Sequence, residues 1–173
     1  MNTKTLPVVG TIIGAALIYS LSANKVFEIP GPARIPLSVK VLYMVFVAVL
    51  VPCYLRIYGP TNFLYFCDLA LLMGLVAVWT ESSSWASMPT VGILLPQTFW
   101  CVDLFGESLG FRMTGMTAYM FESRSPLFLR ILSLFHVWLP YFLLWTVSRL
   151  GYDRRAFLAW TVLSSALVIV CYL

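Results

Sequence analysis

Three residues in apolar segments of this chain could together carry out nucleophilic chemistry. Cys67 and Asp68 are neighbours, and the one histidine of the chain, His136, lies in a later segment. A cysteine thiolate is a nucleophile, an imidazole can take its proton, and a carboxylate can orient the imidazole. We therefore consider a catalytic set with Cys67 as nucleophile, His136 as base and Asp68 or Asp103 as orienter. A lone cysteine in an apolar helix is also commonly a small core residue, so a purely structural role stays open.

A polar stripe runs along the helix predicted around the histidine. Arg130, Ser133 and His136 follow one another at steps of three residues, which spreads them over one side of a helix. Pro140 falls on the same stripe, four residues beyond His136. A proline has no N–H, so it releases the His136 carbonyl from its helical hydrogen bond and leaves an acceptor inside the bundle.

Asp68 needs a partner if it is buried in lipid, where an uncompensated charge costs about 2.5–3.5 kcal/mol. With six spans, Asp68, Asp103, Arg130 and His136 all fall in the same half of the bilayer. We therefore expect Asp68 to bond with Arg130, His136 or Gln97. Such a cluster could equally lock helices together without doing chemistry. The residues assigned to this polar core are Asn62, Gln97, Asp103, Arg130 and Ser133.

The composition is that of a membrane protein with few residues left over for a soluble domain. Of the 173 residues, 61% are hydrophobic and 10% are charged, whereas about a quarter of residues are charged in soluble proteins. The net charge of +4 is dispersed, which excludes a nucleic-acid-binding surface. The four cysteines form no CxxC pair, so neither a disulfide framework nor a zinc site is expected. One histidine is too few for bis-histidine haem, and a metal site of His136 with two aspartates is a weak alternative.

Six apolar segments are each long enough to cross about 30 Å of hydrocarbon. The fold class predicted is an all-α polytopic transmembrane bundle in one domain, 1–173. We expect the first segment to be retained as a helix and not removed as a signal peptide. The loop 106–125 is predicted to lie at the membrane interface, either as a plain connector or as a lid carrying Met113, Met116 and Met120. The predicted spans are 7–23, 39–58, 62–80, 85–105, 126–148 and 155–173.

Two short motifs resemble those of a known family. The segment Tyr65-Phe-Cys-Asp-Leu-Ala70, followed later by Ser133-Leu-Phe-His136, resembles the YwaF-like integral membrane family, which is related to ADTRP-like membrane hydrolases and acyltransferases. The resemblance covers about 62–144. It implies that Cys67, or its neighbour Asp68, faces one pocket with His136 and acts on lipid acyl esters. The chain is also similar to uncharacterised bacterial membrane proteins, which implies a bacterial inner (cytoplasmic) membrane location.

Two classes of function fit these observations. The first is a non-catalytic integral membrane protein, either an accessory subunit of a larger membrane complex or a binder of a lipid-like ligand. The alternative is a small intramembrane hydrolase or acyltransferase that acts on lipid esters through Cys67 and His136, and a transporter component comes third. The expected partners are membrane lipids and other membrane subunits, with no nucleic acid. No cofactor is required, although a bound lipid, quinone or pigment stays open.

Overall fold

A computed structural model describes residues 35–122 and 126–172, and over these residues the protein is all-helical, as predicted. Helices coincide with the last five predicted apolar segments, while the segment 7–23 lies outside the described residues. Short 3-10 helices occupy Pro60–Leu64 and Ala118–Met120. The α-helices are α1 Leu37–Ile57, α2 Phe66–Thr80, α3 Ser83–Ser108, α4 Leu127–Ser133, α5 Phe135–Leu150 and α6 Ala156–Tyr172.

Two stretches of helix are long and apolar enough to cross a membrane. They are Leu37–Ile57, with a mean hydropathy of 2.0, and Leu127–Leu150, which joins α4 and α5 and has a mean hydropathy of 1.7. Phe66–Thr80 and Ala156–Cys171 are apolar but shorter. The crossing of the membrane by six segments stays a prediction.

Helix α3 is the centre of the bundle and packs against α2, α5 and α6. Its contact with α6 depends on Gly92, because a Cβ atom there would overlap the indole of the buried Trp160. Gly74 of α2 has a similar role toward α1, since a Cβ atom would lie 2.5 Å from the Tyr43 hydroxyl oxygen. Small residues at these crossings let the backbones approach closely, as is common between membrane helices.

Helix α1 lies at the edge of the bundle and buries one narrow stripe. The buried residues Tyr43, Val47, Leu50 and Tyr54 recur at steps of four, three and four residues, which is one face of a helix. The Tyr43 hydroxyl donates to the Leu71 carbonyl at 2.8 Å. The stripe therefore joins α1 to α2 through apolar packing and a hydrogen bond to the backbone.

The boundary between α4 and α5 is an interruption caused by a side chain. The His136 Nδ1 atom donates to the Ser133 carbonyl at 2.8 Å, and this carbonyl would otherwise accept from the N–H of Val137. The Val137 N–H bonds instead to the Leu134 carbonyl at 2.9 Å, which is the tighter 3-10 pattern. The imidazole thus replaces one backbone bond and separates the two helices.

Asp153 joins the N-terminal end of α3 to the start of α6. Its carboxylate accepts from the Ser84 hydroxyl and, at 2.9 Å, from the N–H of Arg155. Its own N–H donates to the Ser87 hydroxyl at 3.0 Å. The bond from Ser84, followed by that from Arg155, holds the pKa of the Asp153 carboxyl below its ordinary value.

Candidate binding site

Asp68 is the buried centre of a polar site in the first turn of α2. It is 3% exposed, and its Oδ2 atom accepts from the Asn62 Nδ2 atom at 2.9 Å. The Cys67 Sγ atom lies 3.9 Å from the same oxygen. The Oδ1 atom is buried and has no hydrogen-bond partner among the described residues. The predicted bond from Asp68 to Arg130, His136 or Gln97 is therefore wrong over this part of the chain, because the groups that donate to Asp68 are the Asn62 amide and the Cys67 thiol.

Asn62 reaches Asp68 because the chain turns before α2 begins. Gly59 has a φ of 80°, a left-handed conformation that suits glycine, and Pro60 then starts a 3-10 turn. Tyr65 is extended, with φ and ψ of −66° and 138°, and marks the start of α2. The prediction that Asn62 lies inside a helix beginning at residue 62 is therefore wrong, and the turn is what brings its amide to Asp68.

Three hydroxyl groups from different parts of the chain meet beside Asp68. The Tyr54 hydroxyl lies 2.9 Å from the Ser133 hydroxyl, and the Tyr119 phenol lies close to the same serine. Both tyrosines are close enough to Asp68 to interact with it electrostatically. Burial raises the pKa of Tyr119 to about 12, so this phenol keeps its proton at neutral pH. We call this group the Asp68 site: Tyr54, Asn62, Cys67, Asp68, Tyr119 and Ser133.

The loop that carries Tyr119 is fixed to α3 by Asp103. This carboxylate is 1% exposed and accepts from the N–H of Thr114 at 2.8 Å. Its other oxygen accepts from the N–H of Thr117 at 3.0 Å and from the Thr117 hydroxyl at 2.9 Å. Asp103 therefore orders the loop, and the structure gives it no bond to His136 of the kind that an orienting carboxylate would make.

Arg130 holds the other end of the same loop segment. Its Nη1 atom donates to the Met120 carbonyl at 3.2 Å, while its Nε atom is buried and has no partner. Over residues 35–122 and 126–172 it has no carboxylate within 4.0 Å. Arg130 and Asp103 together fasten the stretch 114–120 over the end of the bundle.

The methionines predicted as a lid lie on the loop that carries Tyr119. Met113 and Met116 are exposed, and Met120 is partly buried. The loop residue that lies close to Ser133 is Tyr119. The role of the three methionines as a lid stays a prediction.

His136 is an ordered ring enclosed by aromatic neighbours. It stacks on Trp100 with ring centres 4.7 Å apart, and Phe135 lies on it at 4.1 Å. Because Nδ1 donates to a carbonyl, the neutral ring carries its lone pair on Nε2. Pro140 has no N–H to donate to the His136 carbonyl, which instead accepts from the Cys101 thiol at 3.7 Å.

The structure gives no hydrogen bond between Cys67 and His136, both of which are described. A proton transfer between two side chains requires them to lie within hydrogen-bond reach, or to be joined through one water. The assignment of Cys67, His136 and Asp68 as catalytic residues thus stays a prediction. Gln97 is also buried, and neither atom of its amide has a partner. Within the described part of the chain, no three His, Cys, Asp or Glu side chains form a metal-binding group.

Tyr54 and Tyr119 are the members of the site that sequence reasoning missed. That reasoning considered the ionisable groups and amides in the apolar segments and passed over phenols. One signal was present for Tyr54, which lies eleven residues after Tyr43 on the same helical face. Nothing comparable marked Tyr119, because its position depends on how Asp103 and Arg130 fold the loop.

Comparison of the chain with protein-family models, with curated proteins and with solved structures finds no match. The resemblance to the YwaF-like family therefore stays a prediction. What the site does has to be inferred from its own geometry and from the surface of the helices around it.

Proposed function

We propose that this chain is an integral membrane protein, a bundle of about six spans, that binds a lipid-like ligand and does not catalyse a reaction on it. The proposed location is a bacterial inner membrane. The observation that carries the membrane proposal is the surface of α1. The support for a bound ligand is the Asp68 site, where the buried Oδ1 atom of Asp68 has no partner among the described residues, together with the buried Nε atom of Arg130, which has none either.

The surface of α1 is apolar on the sides that do not face the bundle. Its most hydrophobic window is 22% buried, whereas the core helix of a soluble protein is mostly buried. An exposed apolar surface of this extent needs lipid or a partner protein to cover it. The large exposed side chains of α1 are Leu37, Val41, Leu42, Met44, Val45, Val49, Leu55 and Ile57.

The loop end of the bundle has the composition of a membrane interface. Phe105, Phe111 and Phe121 are exposed there, and Arg112 lies among them. Aromatic and basic side chains are typical of the headgroup layer. This loop carries Tyr119 of the Asp68 site, so a lipid head group bound at such an interface would lie close to the site.

The catalytic alternative has less support from the geometry. A hydrolase or acyltransferase would need Cys67 close to His136, and no hydrogen bond joins them among the described side chains. A fluorophosphonate or acyl-thioester probe decides this point. We expect neither probe to label Cys67, and labelling that disappears in His136→Ala while the protein stays folded would favour the enzyme.

An arginine scan of α1 tests the membrane proposal. Val45 lies near the middle of α1 and is half exposed. At an exposed site in water, Val45→Arg would change stability by about 0.5 kcal/mol or less. At the centre of a lipid-facing helix it costs about 2.5–3.5 kcal/mol. The matched control is Leu37→Arg at the exposed helix end, where an arginine can extend to the interface.

The assays are the amount of protein in membranes after alkaline carbonate washing and its thermal stability in detergent. We expect wild type and Leu37→Arg to remain in the membrane and Val45→Arg to be depleted. Equal behaviour of the two variants would contradict lipid around α1. Native mass spectrometry of the purified chain then separates a retained lipid, as proposed, from a stoichiometric protein partner, which would favour the accessory-subunit function instead.

A further inference from the structure

Two buried groups near the covering loop have no ion-pair partner among the described residues. Asp68 is 3% exposed, and over the same residues its Oδ1 atom has no hydrogen-bond donor. The Arg130 Nε atom is buried and has no acceptor within this part of the chain. Ion pairs within residues 35–122 and 126–172 join Lys40 to Glu81 and Arg112 to Glu107, and neither pair includes these two groups.

Ser133 links the surroundings of the two groups. Its hydroxyl bonds to Tyr54 and lies close to Tyr119, the two phenols that interact with Asp68. Arg130 precedes Ser133 by three residues on α4, and side chains at that spacing have Cβ atoms about 5–6 Å apart. Arg130 also bonds to the backbone of the residue after Tyr119. Both charged groups therefore have neighbours around Ser133, and among the described residues they do not pair with each other within 4.0 Å.

Hydroxyl groups lie beside the carboxylate. The Tyr54 and Ser133 hydroxyls are 2.9 Å apart, and the Tyr119 phenol lies close to them. The surroundings of the site therefore present a carboxylate acceptor in Asp68 and a cationic donor in Arg130.

We propose that the Asp68 site binds a zwitterionic head group in which a protonated primary amine is joined to a phosphate. The ammonium donates to Asp68 Oδ1, and the phosphate accepts from Arg130 Nε. This assignment rests on the proposed binding of a lipid-like ligand and names its head group. An aminophospholipid such as phosphatidylethanolamine carries both charges, and its acyl chains would extend along the apolar helix surfaces.

The ammonium end of the head group distinguishes phosphatidylethanolamine from other phospholipids. An ammonium brings N–H donors, whereas the trimethylated amine of phosphatidylcholine has none and phosphatidylglycerol has no cation. A hydrogen bond to a charged group contributes enough to change an affinity about tenfold or more. We therefore expect phosphatidylethanolamine to bind at least about tenfold tighter than either other lipid with the same acyl chains.

The test uses the full chain, purified and delipidated in detergent, with lipid affinities measured by native mass spectrometry. Asp68→Asn should abolish the preference for phosphatidylethanolamine over phosphatidylglycerol. Arg130→Gln should weaken all three phospholipids about tenfold. The matched control is Arg112→Gln, because Arg112 is exposed and pairs with Glu107 outside the Asp68 site, and it should change none of the affinities.

Each outcome of this experiment bears on the proposal. Equal binding of the three lipids to wild type would overturn the head-group assignment while leaving lipid binding in place, and no lipid binding at all would overturn both. If Asp68→Asn does not fold, the wild-type series with three lipids decides alone. Glycerophosphoethanolamine, the water-soluble head group, is the final arm. Binding as tight as that of the lipid would support the ammonium–phosphate chemistry and overturn a lipid as its source.

Discussion

Asp103→Asn should release the loop over the Asp68 site without unfolding the bundle. The aspartate accepts three hydrogen bonds, two from Thr117 and one from the N–H of Thr114. A hydrogen bond to a charged acceptor contributes about 1.5–3 kcal/mol. Asparagine keeps one carbonyl oxygen that can accept, but its NH₂ group then faces a backbone N–H, and two donors cannot bond to each other. The variant therefore loses at least one hydrogen bond, and the remaining bonds no longer go to a charged acceptor. The loss is about 3 kcal/mol, which raises the equilibrium constant for local opening of the loop roughly a hundredfold.

Hydrogen exchange of the Thr114 and Thr117 amides measures this opening directly. We expect their exchange to accelerate roughly a hundredfold in Asp103→Asn, and tryptic cleavage after the exposed Arg112 to become faster. Glu107→Gln is the control, because it removes an ion pair at an exposed arginine, a kind of pair that contributes about 0–1 kcal/mol. Unchanged exchange at both threonines would refute the role of Asp103 in holding the loop.

Two further predictions concern the packing and the pH dependence of the bundle. Gly92→Ala places a methyl group against the Trp160 indole and should cost about 1–3 kcal/mol, seen as a lower midpoint of thermal unfolding in detergent. Thr98→Ala, at an exposed position of the same helix, should leave that midpoint nearly unchanged, and equal midpoints for both variants would contradict the close contact. Asp153 has a lowered pKa in the folded state, chiefly through Ser84, so its stabilisation is complete above about pH 4 and is lost as the pH falls through the lower folded value. Unfolding midpoints measured from neutral pH down to acid should therefore fall less steeply in Asp153→Asn than in wild type, and parallel curves would contradict this.

The helices were predictable because hydrophobicity and breakers mark them plainly. Gly59-Pro60 and the polar residues after Thr80 separate segments that are apolar almost throughout. The ends differ from the prediction where local chemistry intervenes. Asn62 lies in a 3-10 turn, and His136 captures the Ser133 carbonyl and divides the fifth predicted segment.

The partners within the site were not predictable from position along the helices. Counting residues placed Asp68, Asp103 and Arg130 toward one end of the bundle, but it did not show which side chains meet. Asp103 and Arg130 bind the loop and not Asp68, because loop N–H and carbonyl groups also need partners when buried. The conformation of a loop depends on its tertiary contacts. The residues next to Tyr119 in the sequence therefore gave no indication that it belongs to the site.

The narrow buried stripe of α1 has a consequence for how the protein assembles. In a bilayer, apolar side chains gain little by leaving lipid for another helix, so close packing and hydrogen bonds must hold helices together. Tyr43 and Tyr54 supply hydroxyl bonds from α1 to the rest of the bundle, at points about 16 Å apart along its axis. In the membrane location proposed above, the apolar surface of α1 would allow it to be inserted as an independent segment before it packs against the other helices. Sliding it by one turn would break both bonds, so the two tyrosines determine the register in which it docks.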